Sequence, residues 1–257
     1  MANSTLLQYL EIADETAAEV RNSNNEAFLL LEECADHLNK LLRSPLKEAD
    51  EVVWQLAANS CFVFFSAVRT AISGHPTAIF PLLRTALESA CYALVASSDK
   101  KAALLWEQRN ISKNKKNLHR NSFSPAVSNA IKLVEVDCET MGKYIDALYE
   151  SAIDYGAHPN PRSIVRHVKK SEENKRDIDM GCLYGLGSEI NAGLVACLDF
   201  GAGIIYLLRA SMKLEPFPGG DDSFLATFIT KKMECTDLLN GSPVEYGEDM
   251  WEPLDPK

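Results

Sequence analysis

The sequence predicts an all-α protein, a single-domain multi-helix bundle with long central helices. Three observations carry this. Apolar residues recur at helical spacing over nearly all of the 257 positions. No stretch alternates apolar and polar residues in the manner of a half-buried strand, and no Asn-Gly-type turn joins two such stretches. The interruptions fall at proline and glycine clusters, which end helices by removing a backbone donor or by freeing the chain.

Taken in order, helices are expected near 5–20 and 25–43, the second closed by Ser44-Pro45. A third, near 47–73, is closed by Ser73-Gly74-His75-Pro76, and a fourth follows near 77–97. A basic helix is expected near 100–117 and a long one near 124–155, closed by His158-Pro159-Asn160-Pro161. The next, near 180–213, contains the apolar run INAGLVACLDFGAGIIYLL (190–208). That run is nearly long enough to span a bilayer. Asp199 near its middle would cost about 2.5–3.5 kcal/mol there, so a buried bundle helix is expected, with Ala192, Gly193, Ala196, Gly201 and Ala202 allowing close approach of neighbours. A last helix near 222–239 follows Pro216-Phe217-Pro218-Gly219-Gly220. Residues 1–240 read as the helical domain and 241–257 as an acidic tail with Trp251 as its one strong anchor.

With 46% hydrophobic residues, the chain can bury a substantial core. Its formal charge of −10 disfavours DNA as a partner. The charge is segregated: residues 100–120 carry seven Lys or Arg against one Glu, and residues 162–176 carry six against two. Seven cysteines, with no close Cys-x-x-Cys pair, read as buried thiols of a reducing compartment. The opening segment lacks a basic stretch ahead of an apolar run, so the expected location is cytoplasmic. No cofactor, metal or membrane partner is expected, and a second copy of the chain is a candidate partner.

Charge is scarce where a site can be sought. Between Val52 and Ser98 the only formal charges are Arg69, Arg84 and Glu88. Arg84, Glu88 and Tyr92 stand at i, i+4 and i+8 and share one line along a helix. A buried guanidinium needs a partner or a water-lined cleft. Glu88 can serve Arg84, and Asp199, isolated in its own apolar helix, is the natural partner for Arg69. On a buried-pair basis, losing Arg84 or Glu88 is expected to cost about 3–5 kcal/mol. The competing reading has Arg69 and Arg84 facing one cavity and holding an anionic or carbonyl ligand. Tyr92, Tyr155, His158 and Asn160 would line it, the last two in a proline-stiffened loop where an imidazole titrates near neutral pH.

The segments GHPTAIFPLLRTALESACYAL and YGAHPNPRSI resemble an uncharacterised group of bacterial all-helical proteins. These share an L-x-R-x-x-x-E helix, here Leu82, Arg84 and Glu88, and a later His-Pro-Asn loop, here His158, Pro159 and Asn160. The resemblance covers roughly residues 50–210. Some proteins of this kind are grouped with the HEPN superfamily, which includes metal-independent ribonucleases with an Arg-x(4–6)-His motif. Two positions match that spacing, Arg162 with His167 and Arg69 with His75, and the resemblance implies a catalytic role for Arg162 and His167. Ser163 stands where the family prefers Asn, Asp or His. The leading expectation is a binding or interaction module with a central Arg/Glu/Tyr/His cleft. The alternative is a HEPN-like metal-independent ribonuclease of toxin or phage-defence type, with RNA as its partner. The sequence alone names no substrate.

Overall fold

The computed structural model describes residues 5–43, 51–157, 168–170, 178–180, 183–214 and 223–237. Among them are ten helices: α1 (Thr5–Asn22), α2 (Glu26–Arg43), α3 (Glu51–Ile72), α4 (Phe80–Ser98), α5 (Lys100–Glu107), α6 (Lys113–Phe123), α7 (Ala126–Asp137), α8 (Glu139–Ala152), α9 (Ser188–Ser211) and α10 (Ser223–Asp237). The helices pack on one another as an all-α bundle.

Local chemistry sets the helix starts. Asn25 accepts the Phe28 amide at 3.0 Å ahead of α2, and the preceding Asn24 takes the left-handed turn conformation that asparagine tolerates. Pro81 sits in the first turn of α4, where its missing donor costs nothing. Asp99 caps α5 through the Lys101 amide at 2.8 Å, and Ser112 caps α6 through the Lys115 amide at 3.2 Å. After α3, Gly74 adopts φ +85° and its carbonyl accepts the Tyr184 amide at 3.0 Å. A side chain there would be strained by the backbone and would strike the Tyr184 carbonyl.

The core is organised around α9, which packs against α2, α3, α4, α8 and α10 and is buried along nearly its whole length from Gly193 onward. Its small residues act as expected. A Cβ on Gly201 would lie 2.8 Å from the Cys34 sulfur and 3.2 Å from the Phe64 ring. Both α3 and α9 are long and apolar enough to cross a membrane, but 83% of the most apolar window of α9 is buried inside the fold, so neighbouring helices cover it. Two polar contacts fasten α3 to α4: Ser60 Oγ donates to the Ala86 carbonyl at 2.7 Å, and Asn59 Nδ2 donates to Ser89 Oγ at 2.8 Å.

Several boundaries differ from the sequence expectation. The helix expected over 124–155 is two helices folded against each other, broken where Cys138 is extended (φ −152°, ψ 93°). Asp137-Cys138-Glu139 contains no helix breaker, so tertiary packing overrides propensity there. The basic helix expected over 100–117 is interrupted at a short 3₁₀ turn, Gln108–Asn110, and restarts at the Ser112 cap. The helix expected from 180 begins at Ser188, because Val168–Lys170 and Ile178–Met180 pair as short antiparallel strands, β1 and β2. These three-residue strands are too short for an alternation signal. The breaks at Ser44-Pro45 and Pro216–Gly220, the loop from His158 through His167 and the tail 241–257 lie outside the described residues.

Among the described residues Cys34, Cys61, Cys91, Cys138, Cys197 and Cys235 are free thiols. Burial pushes Cys61 up to about 12 and raises Cys34, Cys91 and Cys197 as well, so these thiols act as small apolar groups.

Candidate functional site

The line Arg84, Glu88, Tyr92 runs along α4 on a side facing α6 and α8, and α8 supplies a group the sequence reading missed, Tyr149. Arg84 Nε donates to Glu88 Oε1 at 2.9 Å, and Arg84 Nη2 donates to the Tyr149 hydroxyl oxygen at 3.0 Å. That hydroxyl donates in turn to Glu88 Oε1 at 3.2 Å. The Arg84 guanidinium carbon lies 5.2 Å from the Tyr149 ring centroid, in cation–π range. Arginine, carboxylate and phenol thus form a closed triangle.

The triangle is only partly buried, with the Arg84 side chain 23% and the Glu88 side chain 31% exposed. Burial works against the Arg84 charge, but the hydrogen bonds to Glu88 and Tyr149 outweigh it and hold its pKa above the ordinary value. Burial, followed by the Glu88 charge, raises the Tyr149 phenol, and Arg84 offsets part of this. Tyr92 is raised by burial and then by Glu88 and Tyr149, with Arg109 pulling the other way. Both phenols therefore stay protonated donors at neutral pH.

Beyond Tyr92, α6 contributes an aromatic ledge. The Tyr92 ring lies 4.6 Å from that of Phe123, and His119 stacks on Phe123 at 4.7 Å. Burial, then Arg109, lowers the pKa of His119 and favours its neutral form. His119 Nε2 and Gln108 Oε1 are buried without a hydrogen-bond partner among the described residues. On this side of α4, Glu88 Oε2 and the Tyr92 hydroxyl receive no hydrogen bond from the described residues. Among the described residues this side of α4 leaves open a carboxylate oxygen and a phenol, while the Arg84 guanidinium is already engaged.

Tyr155 is buried, with its ring 5.5 Å from that of Phe80. Phe80 stands one helical turn before Arg84, and the turn Ile153–Ala157 packs on α4. This turn therefore lies beside the start of the α4 line. His158 and Asn160, like Arg162 and His167, lie outside the described residues.

The expected Arg69–Asp199 pair does not form. Arg69 Nη2 donates to Asp14 Oδ1 on α1 at 2.6 Å, and Arg69 Nη1 donates to Ser73 Oγ at 2.6 Å. Asp199 Oδ1 instead accepts from Lys232 of α10 and from the Tyr144 hydroxyl of α8, the latter at 2.9 Å. The Lys232 ammonium also lies 5.4 Å from the Tyr144 ring centroid. Arg69 stands at the end of α3, half exposed, where α1 supplies an acid closer than the core helix does. Among the described residues the two arginines share no partner: Arg84 belongs to the α4–α8 contact and Arg69 to the α1–α3 junction. A second group gathers at that junction. The Tyr9 hydroxyl is hydrogen-bonded to His75 Nε2, and the imidazole is kept neutral chiefly by burial, with the nearby Arg69 charge adding to it. After the helix break at Ser73-Gly74 the His75 amide bonds back to the Thr70 carbonyl at 3.3 Å, which keeps the imidazole within reach of the Arg69 charge.

Away from both groups, a cavity of about 190 Å³ lies between α4, α7 and α9, walled by Leu94, Leu133, Val134, Tyr206 and Ala210. It contains none of the expected site residues.

Comparison with protein-family models, curated proteins and solved structures finds no match to this chain.

Proposed function

We propose that the protein is a non-catalytic binding module whose cleft on α4 takes a small ligand presenting N–H donors. The observation that carries this reading is the open acceptor: Glu88 Oε2 and the Tyr92 hydroxyl are half-buried and receive no hydrogen bond from the described residues. Arg84 and Tyr149 fix Glu88 through its other oxygen, so the carboxylate is oriented before the ligand arrives and less rotamer freedom is lost on binding. The Tyr92 ring packs against the buried Phe123, and a small cation or heterocycle with N–H groups matches the open carboxylate oxygen beside it. The test is a melting series with methylguanidinium and adenine against phosphate and acetate. The donors should raise the melting temperature of the wild type and leave Glu88→Gln unmoved. A rise with phosphate or acetate, or a donor effect that survives in Glu88→Gln, would remove this reading.

One observation favours a second reading, the HEPN-like metal-independent ribonuclease. Arg69 and His75 have the Arg-x(4–6)-His spacing and meet at the end of α3, with His75 neutral and bonded to Tyr9. A neutral imidazole can take a proton from a ribose hydroxyl while a guanidinium steadies the phosphate. RNA incubated in a chelator with wild type, His75→Ala and His167→Ala decides between them. The binding-module reading expects no cleavage by any of the three, whereas the ribonuclease reading expects cleavage that one histidine variant abolishes.

A further inference from the structure

The cleft leaves unused the most strongly charged feature of the molecule. Residues 100–120 carry seven Lys or Arg against the single acid Glu107, on a chain whose total is −10. In the fold this segment is α5, the turn Gln108–Asn110 and α6, packed together as a helical hairpin. Six of the seven cations are exposed and Lys115 is half-buried. None of the seven forms a side-chain ion pair with a described residue, while the exposed cations Arg69, Lys143 and Lys231 each meet a carboxylate. Among the described residues the charge of the hairpin is therefore unmatched, which leaves it open to an external partner.

The pattern around those cations indicates what that is. Lys113, Lys116 and Arg120 recur at i, i+3 and i+7 and share one face of α6. Between Arg109 and Lys113, at the tip of the hairpin, Ile111 is 72% exposed. Leu104, one turn beyond Lys100 and Lys101 on α5, is also exposed. A nucleic acid would meet the cations with phosphate but offer the aliphatic groups no apolar phase. The rings that could stack on bases are turned inward: Phe123 is buried, and Tyr92 and His119 pack against it. An anionic lipid surface accepts both kinds of group at once.

We propose that this hairpin docks the protein peripherally on an anionic lipid surface. Lys113, Lys116 and Arg120 meet the headgroups and Ile111 enters the boundary with the acyl chains. The rest of the chain is more acidic than the total and is repelled by the same surface, so the charge asymmetry also orients the molecule. Peripheral docking requires no spanning helix, and it uses a surface separate from the Glu88 acceptor.

The test is co-sedimentation of the full chain with vesicles of phosphatidylcholine and phosphatidylserine in equal parts, against phosphatidylcholine alone. The wild type should bind the first and not the second, and added salt should release it. Each cation removed weakens partitioning about fivefold, so the triple variant Lys113→Gln, Lys116→Gln, Arg120→Gln should bind on the order of 100-fold more weakly. Ile111→Ser, which changes no charge, should weaken binding about tenfold. All four positions are exposed, and circular dichroism melting verifies that the variants fold. The proposal fails if the wild type does not sediment with anionic vesicles, or if Ile111→Ser binds as well as wild type. Tighter capture of single-stranded RNA than of vesicles would reassign the hairpin to nucleic acid.

Discussion

The triangle of Arg84, Glu88 and Tyr149 allows a quantitative test. In Glu88→Ala, Arg84 Nε and the Tyr149 hydroxyl both lose their acceptor, and a guanidinium is left without its carboxylate. For a fully buried pair that would cost about 3–5 kcal/mol, and for an exposed i, i+4 pair about 0.3–0.5 kcal/mol. With Arg84 23% and Glu88 31% exposed, water reaches the stranded group, and the cost falls between these limits at about 2 kcal/mol. The higher value expected from sequence rests on a burial that α6 and α8 only partly provide. In a chain of this length, about 2 kcal/mol corresponds to a loss of about 4–8 °C in melting temperature. A double-mutant cycle of Arg84→Ala and Glu88→Ala should return a coupling of about 1 kcal/mol, because each single change already removes the bond. Urea unfolding of the four proteins supplies the numbers. Additive effects with no coupling, or single effects no larger than those of an exposed pair, would refute the triangle as a stabilising unit.

The Lys232–Asp199–Tyr144 contact is more buried, with Lys232 14% and Asp199 22% exposed, so Asp199→Ala should cost about 3 kcal/mol. Limited proteolysis should then cut α10 first, and Asp199→Asn should restore part of the resistance by keeping an acceptor for both donors. Burial holds His75 and His119 below the ordinary histidine value, so the unfolded chain takes up these protons first as the medium is acidified. Their contribution to stability is full above about pH 6.5 and is lost on acidification below it. A His75→Gln, His119→Gln double variant should therefore show a shallower fall of urea midpoint with acid than wild type.

The helical class is legible because its signal is local: spacing, caps and proline breaks are properties of a few neighbouring residues. The Arg84–Glu88 pair is legible for the same reason, since i and i+4 positions meet on any helix. Tyr149, 61 positions beyond Glu88, carries no local sign of its partner. Lys232 sits in a Lys-Lys dipeptide that reads as solvated. In the fold its neighbour Lys231 does pair at the surface with Glu33 at 2.8 Å, while Lys232 turns inward to Asp199. The isolation of Asp199 in its apolar helix signals a need for a partner. Which partner it takes depends on the packing of α8 and α10, and periodicity does not encode that packing. The break at Cys138 is hidden for the same reason.

The most direct test of the cleft is the melting of wild type and Glu88→Gln with saturating methylguanidinium or adenine. At a ligand concentration of about 100 times its Kd, binding to the folded state adds about 2.7 kcal/mol, or about 5–10 °C for a chain of this size. A rise of that order is expected in wild type and none in Glu88→Gln. An equal rise in both proteins would contradict that expectation.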